Sequence, residues 1–269
     1  TEENVYNQWT IISKYHYALG TLINKTIGVK YRYKGGWAAT DNRAFTFWFR
    51  PNYKNPIGKN VLIKAISNNA GNPVLTTPGL PLGSKLGTAE IKPGDWISVR
   101  GTNSYNGIQP VKSVDVANKN LTLDIPYIDS ILANAPKFNK EVSNTFISYD
   151  TDDARNFTYV QLTYTANWFI IKFNNAYYKY DLSKAAALGP VALSNGEWYA
   201  ATINLNNIAK QLSLFLYNTI ELAGAINPDR SADLTSIYTN TKTVSPIAIP
   251  EGYAWKLLGC QTDLTNIRI

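Results

Sequence analysis

The residues that could carry covalent or proton chemistry are few. His16 is the one histidine and Cys260 the one cysteine of the 269 residues. Nucleophilic catalysis of the Ser-His-Asp kind would have to use His16, and no G-x-S-x-G elbow accompanies it. His16 sits between Tyr15 and Tyr17 and is expected to be a partly buried histidine at a strand end. A single cysteine excludes an intrachain disulfide and a Cys/His zinc site. Cys260 lies near Trp255, Leu257 and Leu258 and reads as a buried structural thiol. Glycoside hydrolysis needs two carboxylates held across a sugar, and no strand carries an E-x-D-x-x-E run. Glu197 follows Gly196 at a strand start and is expected to be exposed. The densest acidic cluster is Asp150, Asp152 and Asp153. Its oxygens could hold Ca²⁺, but Asp is a common turn residue and Arg155 neutralises part of the charge. Phosphate-cradling glycine motifs are absent. The chain is therefore expected to be no enzyme and to carry no cofactor, with Ca²⁺ at Asp150 to Asp153 as the metal alternative.

Charge is more informative. The formal net charge is +7. Residues 1–70 hold 10 Lys/Arg against 3 Asp/Glu, and the remaining segments nearly balance. Lys30, Arg32 and Lys34 alternate with Val29, Tyr31 and Tyr33, so three cations share one strand face. Arg43, Arg50, Lys54, Lys59 and Lys64 follow. Such a face attracts an acidic partner: protein, anionic polysaccharide or nucleic acid. Nucleic-acid binding also wants stacking aromatics among the cations, and here Tyr31 and Tyr33 point the other way. The competing expectation for Lys30, Arg32 and Lys34 is an ordinary solvated sheet face.

The elements that would position these groups are strands. Aromatic content is 13%, with 18 Tyr and 7 Trp, and there are 29 Asn. Aromatics favour strands and Asn favours turns, so the chain reads as all-β. The organising stretch is Gly196 to Tyr217. Tyr199, Ala201, Ile203 and Leu205 share one face, and after a polar connection at 206–210 so do Leu212, Leu214 and Leu216. Ala44 to Arg50 is apolar on both faces, with Phe45, Phe47 and Phe49 opposite Thr46 and Trp48, and is expected to be central and covered. Further strands are expected at Val5–Ile12, Ile27–Lys34, Asn60–Ser67, Asn144–Asp150, Phe157–Thr165, Trp168–Phe173, Tyr177–Leu182, Val244–Ile249 and Trp255–Ile269. Asn174-Asn175 suits a hairpin turn, Ser183–Leu188 about one helical turn, and Glu221–Thr243 a long loop.

Between Asn68 and Pro93 the chain turns rich in Gly and Pro, as a boundary would. Strands expected at Asp95–Gly101, Ile108–Val116 and Leu121–Ile125 then suit a small barrel or curved meander. The division expected is 1–75 and 136–269 for one sandwich, with 76–135 as an inserted small β-barrel.

GEWY at Gly196, NLNN at Asn204 and QLSLFLYN at Gln211 resemble the middle of a laminin-G-like, concanavalin-A-like β-sandwich. FTFWFRP at Phe45 and WKLLGCQTDLTNIRI at Trp255 resemble its early and closing strands. PGDWISVRGTNSYNG at Pro93 resembles small β-barrel modules of phage tail proteins. The resemblance implies an antiparallel sandwich with an inserted barrel, and a virion structural protein of a tailed bacteriophage (tail, neck, baseplate or fibre attachment). Its partners would be other virion proteins in a homo-oligomer or symmetric assembly formed in the host cytoplasm. Independence from disulfides agrees with a reducing compartment. The alternative is a carbohydrate-binding, lectin-like module that stacks loop Trp and Tyr on a surface glycan. No apolar run reaches the ~18 residues of a membrane-spanning helix, and no membrane or sequence-specific nucleic-acid partner is expected. The absence of Met and an end in mid-strand suggest a piece of a longer chain.

Overall fold

The computed structural model describes residues 2–3, 9–13, 16–19, 27–32, 36–51, 60–79, 91–150, 158–184, 190–219, 234–252, 254–259 and 262–268. Alternating apolar residues make nearly all of this β-structure. In chain order the first strands are β1 (Glu2–Glu3), β2 (Trp9–Ser13), β3 (His16–Leu19), β4 (Ile27–Arg32) and β5 (Asn42–Pro51). A second group is β6 (Val61–Leu62), β7 (Ala65–Asn69), β8 (Asn72–Thr76), β9 (Trp96–Thr102), β10 (Gly107–Asp115), β11 (Asn120–Leu123) and β12 (Leu132–Lys140). The third is β13 (Asn144–Asp150), β14 (Thr158–Tyr164), β15 (Trp168–Phe173), β16 (Ala176–Asp181), β17 (Tyr199–Asn206), β18 (Gln211–Thr219), β19 (Leu234–Thr243), β20 (Ala254–Gly259) and β21 (Thr262–Arg268). The chain divides into two compact units, residues 1–54 with 144–269, and residues 55–143.

The larger unit is an antiparallel sandwich of two seven-stranded sheets, ordered β1-β4-β20-β13-β14-β15-β16 and β19-β18-β17-β5-β21-β3-β2. Their inner faces share one core. Phe47 meets Phe146 with ring centroids 5.2 Å apart, Phe49 meets Tyr164 at 5.2 Å, and Phe45 meets Trp255 at 5.5 Å. Edge-on and tilted pairs of this kind add to the burial energy of each ring. The Tyr180 hydroxyl crosses from β16 to donate to the Leu212 carbonyl at 2.8 Å. β5 is covered on both faces, as its sequence predicts: Phe45, Phe47 and Phe49 are buried inward and Trp48 outward. The central hairpin also forms as expected, closed by a turn whose Lys210 has φ 54°. Asn174, with φ 51°, makes the turn joining β15 to β16. Asn207 ties that end of the sandwich together. Its buried amide donates to the Asp41 and Ile247 carbonyls and accepts from the Ile247 N–H, each at 2.8 Å.

The smaller unit is one antiparallel sheet, ordered β6-β12-β9-β10-β11-β8-β7, curled over its own core of Leu75, Ile97, Val99, Tyr105, Leu121 and Phe138. A closed barrel is not formed among the described residues. The end strands are β6, two residues long, and β7, largely exposed, and they do not pair with each other.

Several local expectations are corrected. β8 lies inside the stretch read as a linker, and β6 to β8 pair into the smaller unit rather than the sandwich. β12 runs through Pro136, read as a boundary. The ladder breaks its register between Leu132 and Lys137, which is where a proline is tolerated. β19 occupies the second half of the expected loop Glu221–Thr243. It is an edge strand, and Tyr238 is the side chain it buries fully. Residues 244–248 form no strand, and Ile249 bridges Trp37. The expected helical turn starts as a 3₁₀ turn at Leu182–Lys184.

Candidate interaction face

The first sheet places distant cations in one row. Antiparallel register sets residues directly opposite one another, and opposite residues share a face. Glu3 stands opposite Lys30, Lys30 opposite Lys256, and Lys256 opposite Ser148. Ser148 stands opposite Gln161, Gln161 opposite Lys172, and Lys172 opposite Tyr177. This row crosses all seven strands. The adjacent row, from Trp255 through Tyr149 and Val160 to Phe173, feeds the buried core. The cationic row therefore takes the opposite register positions, and Ser148 at its centre is itself buried, at 2% exposed. A second outer row sets Thr145, Thr163, Ile170 and Lys179 side by side. Diagonal neighbours such as Lys172 and Lys179 lie roughly 7–8 Å apart in this geometry.

Two features of this face stand out electrostatically. Lys30 and Lys256 occupy directly opposed positions, where like charges are destabilising, with Glu3 as the flanking carboxylate. Lys179 stands beside Ile170, which is 1% exposed, and burial pushes its ammonium down to about 8. Elsewhere the face is held by short polar contacts. Thr145 Oγ1 and Thr163 Oγ1 are 2.9 Å apart, the Gln161 amide donates to Thr145 Oγ1 at 2.8 Å, and Lys172 Nζ lies 5.2 Å from the Tyr177 ring centre.

Of the cations singled out in the sequence, Lys30 and Arg32 lie on β4, Arg32 opposite Ala254, and Lys34 lies outside the described residues. The other cations of the first quarter do not extend this row. Arg43 pairs with Asp41 at 3.1 Å and lies over Trp37. Arg50 lies on the other sheet, 5.2 Å over the Trp198 ring, and Lys64 belongs to the smaller unit. Lys54 and Lys59 lie outside the described residues. Lys172, Lys179 and Lys256 were missed because each is alone in its own segment. The available signal was local alternation, with Lys256 between Trp255 and Leu257, and Lys172 between Ile171 and Phe173.

Of the chemical candidates, His16, Asp150 and Glu197 lie among the described residues. His16 opens β3 opposite Ser13, and Asp150 ends β13 opposite Ala254. Asp152, Asp153, Arg155 and Cys260 lie outside the described residues. Glu197 is exposed and accepts the Tyr199 hydroxyl at 3.1 Å. Among the described residues no three His, Cys, Asp or Glu side chains group as metal ligands would.

A glycan platform would need open aromatic faces. Trp37, Trp48, Trp96, Trp198 and Trp255 are all buried, and Trp168 is half-buried. Trp48, Trp198 and Ala200 pack together on the outer face of the second sheet, with Tyr217 against them.

No family model matches the chain, and no curated protein matches it. Among solved structures, peanut lectin with a nine-residue peptide is 12% identical, with 97% of this chain and 90% of that one covered and a TM-score of 0.31. VP17, a capsid protein of bacteriophage P23-77, is 6% identical over 91% of this chain and 96% of its own, with a TM-score of 0.15. The VP16–VP17 complex of the two major capsid proteins of that phage gives 6% identity over 91% and 99%, with a TM-score of 0.16. A lectin and capsid proteins thus stand among the structural neighbours, at a level that assigns neither family nor function. No helix among the described residues is long and apolar enough to cross a membrane.

Proposed function

We propose that the chain is a non-enzymatic structural component of a tailed-bacteriophage virion, acting by protein–protein assembly and using no cofactor. The observation that carries this reading is the outer row of the first sheet. Its register sets cationic and polar positions side by side across seven strands, a breadth that supports a protein partner, while the row's centre at Ser148 is covered within the chain. Small-molecule and catalytic sites are by contrast concave. Two lysine positions opposed in register, at 30 and 256, are the arrangement an acidic partner would relieve. The particular virion substructure belongs to the sequence resemblance alone. Burial of Trp37, Trp48, Trp96, Trp198 and Trp255 supports assembly over the lectin-like alternative.

The test is incorporation. Lys30→Glu with Lys256→Glu is expected to leave the sandwich folded by circular dichroism and to deplete the protein from assembled particles. Normal incorporation of this variant at low salt would remove the docking role. Glycan-array binding by the parent chain would favour the lectin-like reading.

A further inference from the structure

The second sheet presents a surface of a different character from the lysine row. Phe45, Phe47, Ile203, Leu205, Leu212 and Leu214 face the core, so alternation turns the residues between them outward. Register then lines these outward residues up across β5, β17, β18 and β19. One row runs Ala44, Asn204, Ser213, Thr241, and the next runs Thr46, Thr202, Phe215, Thr239. The flanking rows run from Asn42 to Thr243 and from Trp48 to Ser236. The two middle rows reach solvent. Ala44, Asn204, Thr239 and Thr241 are exposed, and Thr46, Thr202, Ser213 and Phe215 are half-buried. Ser213 Oγ and Thr241 Oγ1 lie 2.8 Å apart, which orders the middle of the surface in advance.

No position in these four rows is Lys, Arg, Asp or Glu, although the chain holds 26 Lys/Arg and 19 Asp/Glu. Solvated strand faces ordinarily carry such residues. Their depletion, together with aromatic side chains, marks the core of protein interfaces, and Phe215 and Tyr217 are half-buried aromatics on this face. Charge returns at its margins. Arg50 lies beyond the Trp48 row, over the Trp198 ring, and Arg268 of β21 stands opposite Thr46.

The chemistry of the face selects its partner. A cationic surface is complementary to an acidic one and repels its own copy. Hydroxyl and amide side chains both donate and accept, so a face built of Thr, Ser, Asn and Gln is complementary to itself. A chain of net charge +7 also meets a second copy with least repulsion through a surface without cations. We propose that two copies associate face to face through these rows of the second sheet, about a two-fold axis near Phe215. Such a contact uses the same patch on both copies and closes as a dimer. Four rows on four strands give a footprint of about 20 Å by 14 Å, below the ~800 Å² per partner of a stable interface. The free dimer is therefore weak, and the contact gains where an assembly repeats it. It lies on the other sheet from the lysine row and goes beyond the reading built on that row.

The test is sedimentation equilibrium of the full chain over a concentration series reaching about 1 mM, with Asn204→Lys/Thr241→Lys and Asn204→Glu/Thr241→Glu as variants. Both positions are exposed, and circular dichroism is expected to show every form equally folded. Wild type is expected to dimerise, with association unchanged or strengthened between about 0.1 M and 1 M salt, because screening weakens the repulsion between two positive copies. Each variant alone is expected to lose about tenfold or more in association, the Glu form included although its net charge is lower. An equimolar mixture of the two is expected to recover dimers, because the lysines of one copy then meet the glutamates of the other. Wild type that stays monomeric throughout, association that weakens with salt, a Glu form that dimerises better than wild type, or a mixture no better than its parts would each overturn the proposal. Such a failure leaves the assembly reading standing, because incorporation is tested at Lys30 and Lys256 on the first sheet.

Discussion

Lys179→Met should stabilise the protein at neutral pH, and the gain should vanish as pH rises. Burial beside Ile170 lowers the Lys179 ammonium from an ordinary 10.5 to about 8. At about 1.4 kcal/mol for each tenfold change in proton affinity, the ceiling on the cost of keeping this charge is roughly 3 kcal/mol. Lys179 retains part of its surface in water, so about 1–3 kcal/mol is expected. Below pH 8 both folded and unfolded chains are protonated and the full cost is present. Between pH 8 and 10.5 the unfolded chain holds the extra proton, so stability rises with pH in that window. Buried tyrosines act in the opposite sense at higher pH. Burial raises Tyr178, Tyr180 and Tyr199 and takes Tyr238 up to about 12, so their contribution falls as pH climbs past 10. The difference between variant and wild type cancels them. Urea unfolding at steps from pH 7 to 10 should show the advantage of Lys179→Met shrinking toward zero. A constant difference across that range, or a variant less stable than wild type at pH 7, would refute the argument.

Phe49→Ala removes a ring that meets Phe146, Tyr164 and Tyr199, and should cost about 3–5 kcal/mol by denaturant unfolding. Burial holds the Glu141 carboxyl above its ordinary value, so the charge it carries at neutral pH opposes folding of the smaller unit. Glu141→Gln should therefore flatten the loss of stability as pH rises out of the carboxylate range, as read by melting at successive pH values. Replacing residues 55–143 by a Gly-Ser linker should leave a folded sandwich, because each unit has its own core; a product without β-structure by circular dichroism would contradict this. Lys30→Glu with Arg32→Glu should change stability by no more than about 0.5 kcal/mol.

The fold was legible where one face of a strand is buried and the other is not. β5, β17 and β18 announce themselves by alternation, and β13 to β16 by aromatics between turn residues. The missed strands lack that pattern for separate reasons. β8 contains Pro73, and β12 contains Pro136 at a break in its ladder. β19 is an edge strand, LTSIYTNTKT, whose threonines and asparagine read as loop. The candidate face was legible only at Lys30 and Arg32. The row exists because β20, from the end of the chain, inserts between β4 and β13, and because β15 lies two strands beyond. Such non-local register is invisible to the pattern within any one segment. The expected run of first-quarter cations fails for the same reason, since Arg43 and Arg50 follow β5 onto the opposite sheet.

The central claim is assembly through the outer face of the first sheet. Its most direct test is quantitative mass spectrometry of gradient-purified particles into which the chain is proposed to assemble, made with wild type or with Lys30→Glu/Lys256→Glu. The account predicts wild-type protein at a fixed copy ratio to the other virion proteins and at least a tenfold depletion of the variant. Screening predicts partial loss of wild type when particles assemble at high salt, since the Debye length falls from about 10 Å at 0.1 M to about 3 Å at 1 M. Absence of the wild-type chain from purified particles, or equal incorporation of both forms, would contradict it.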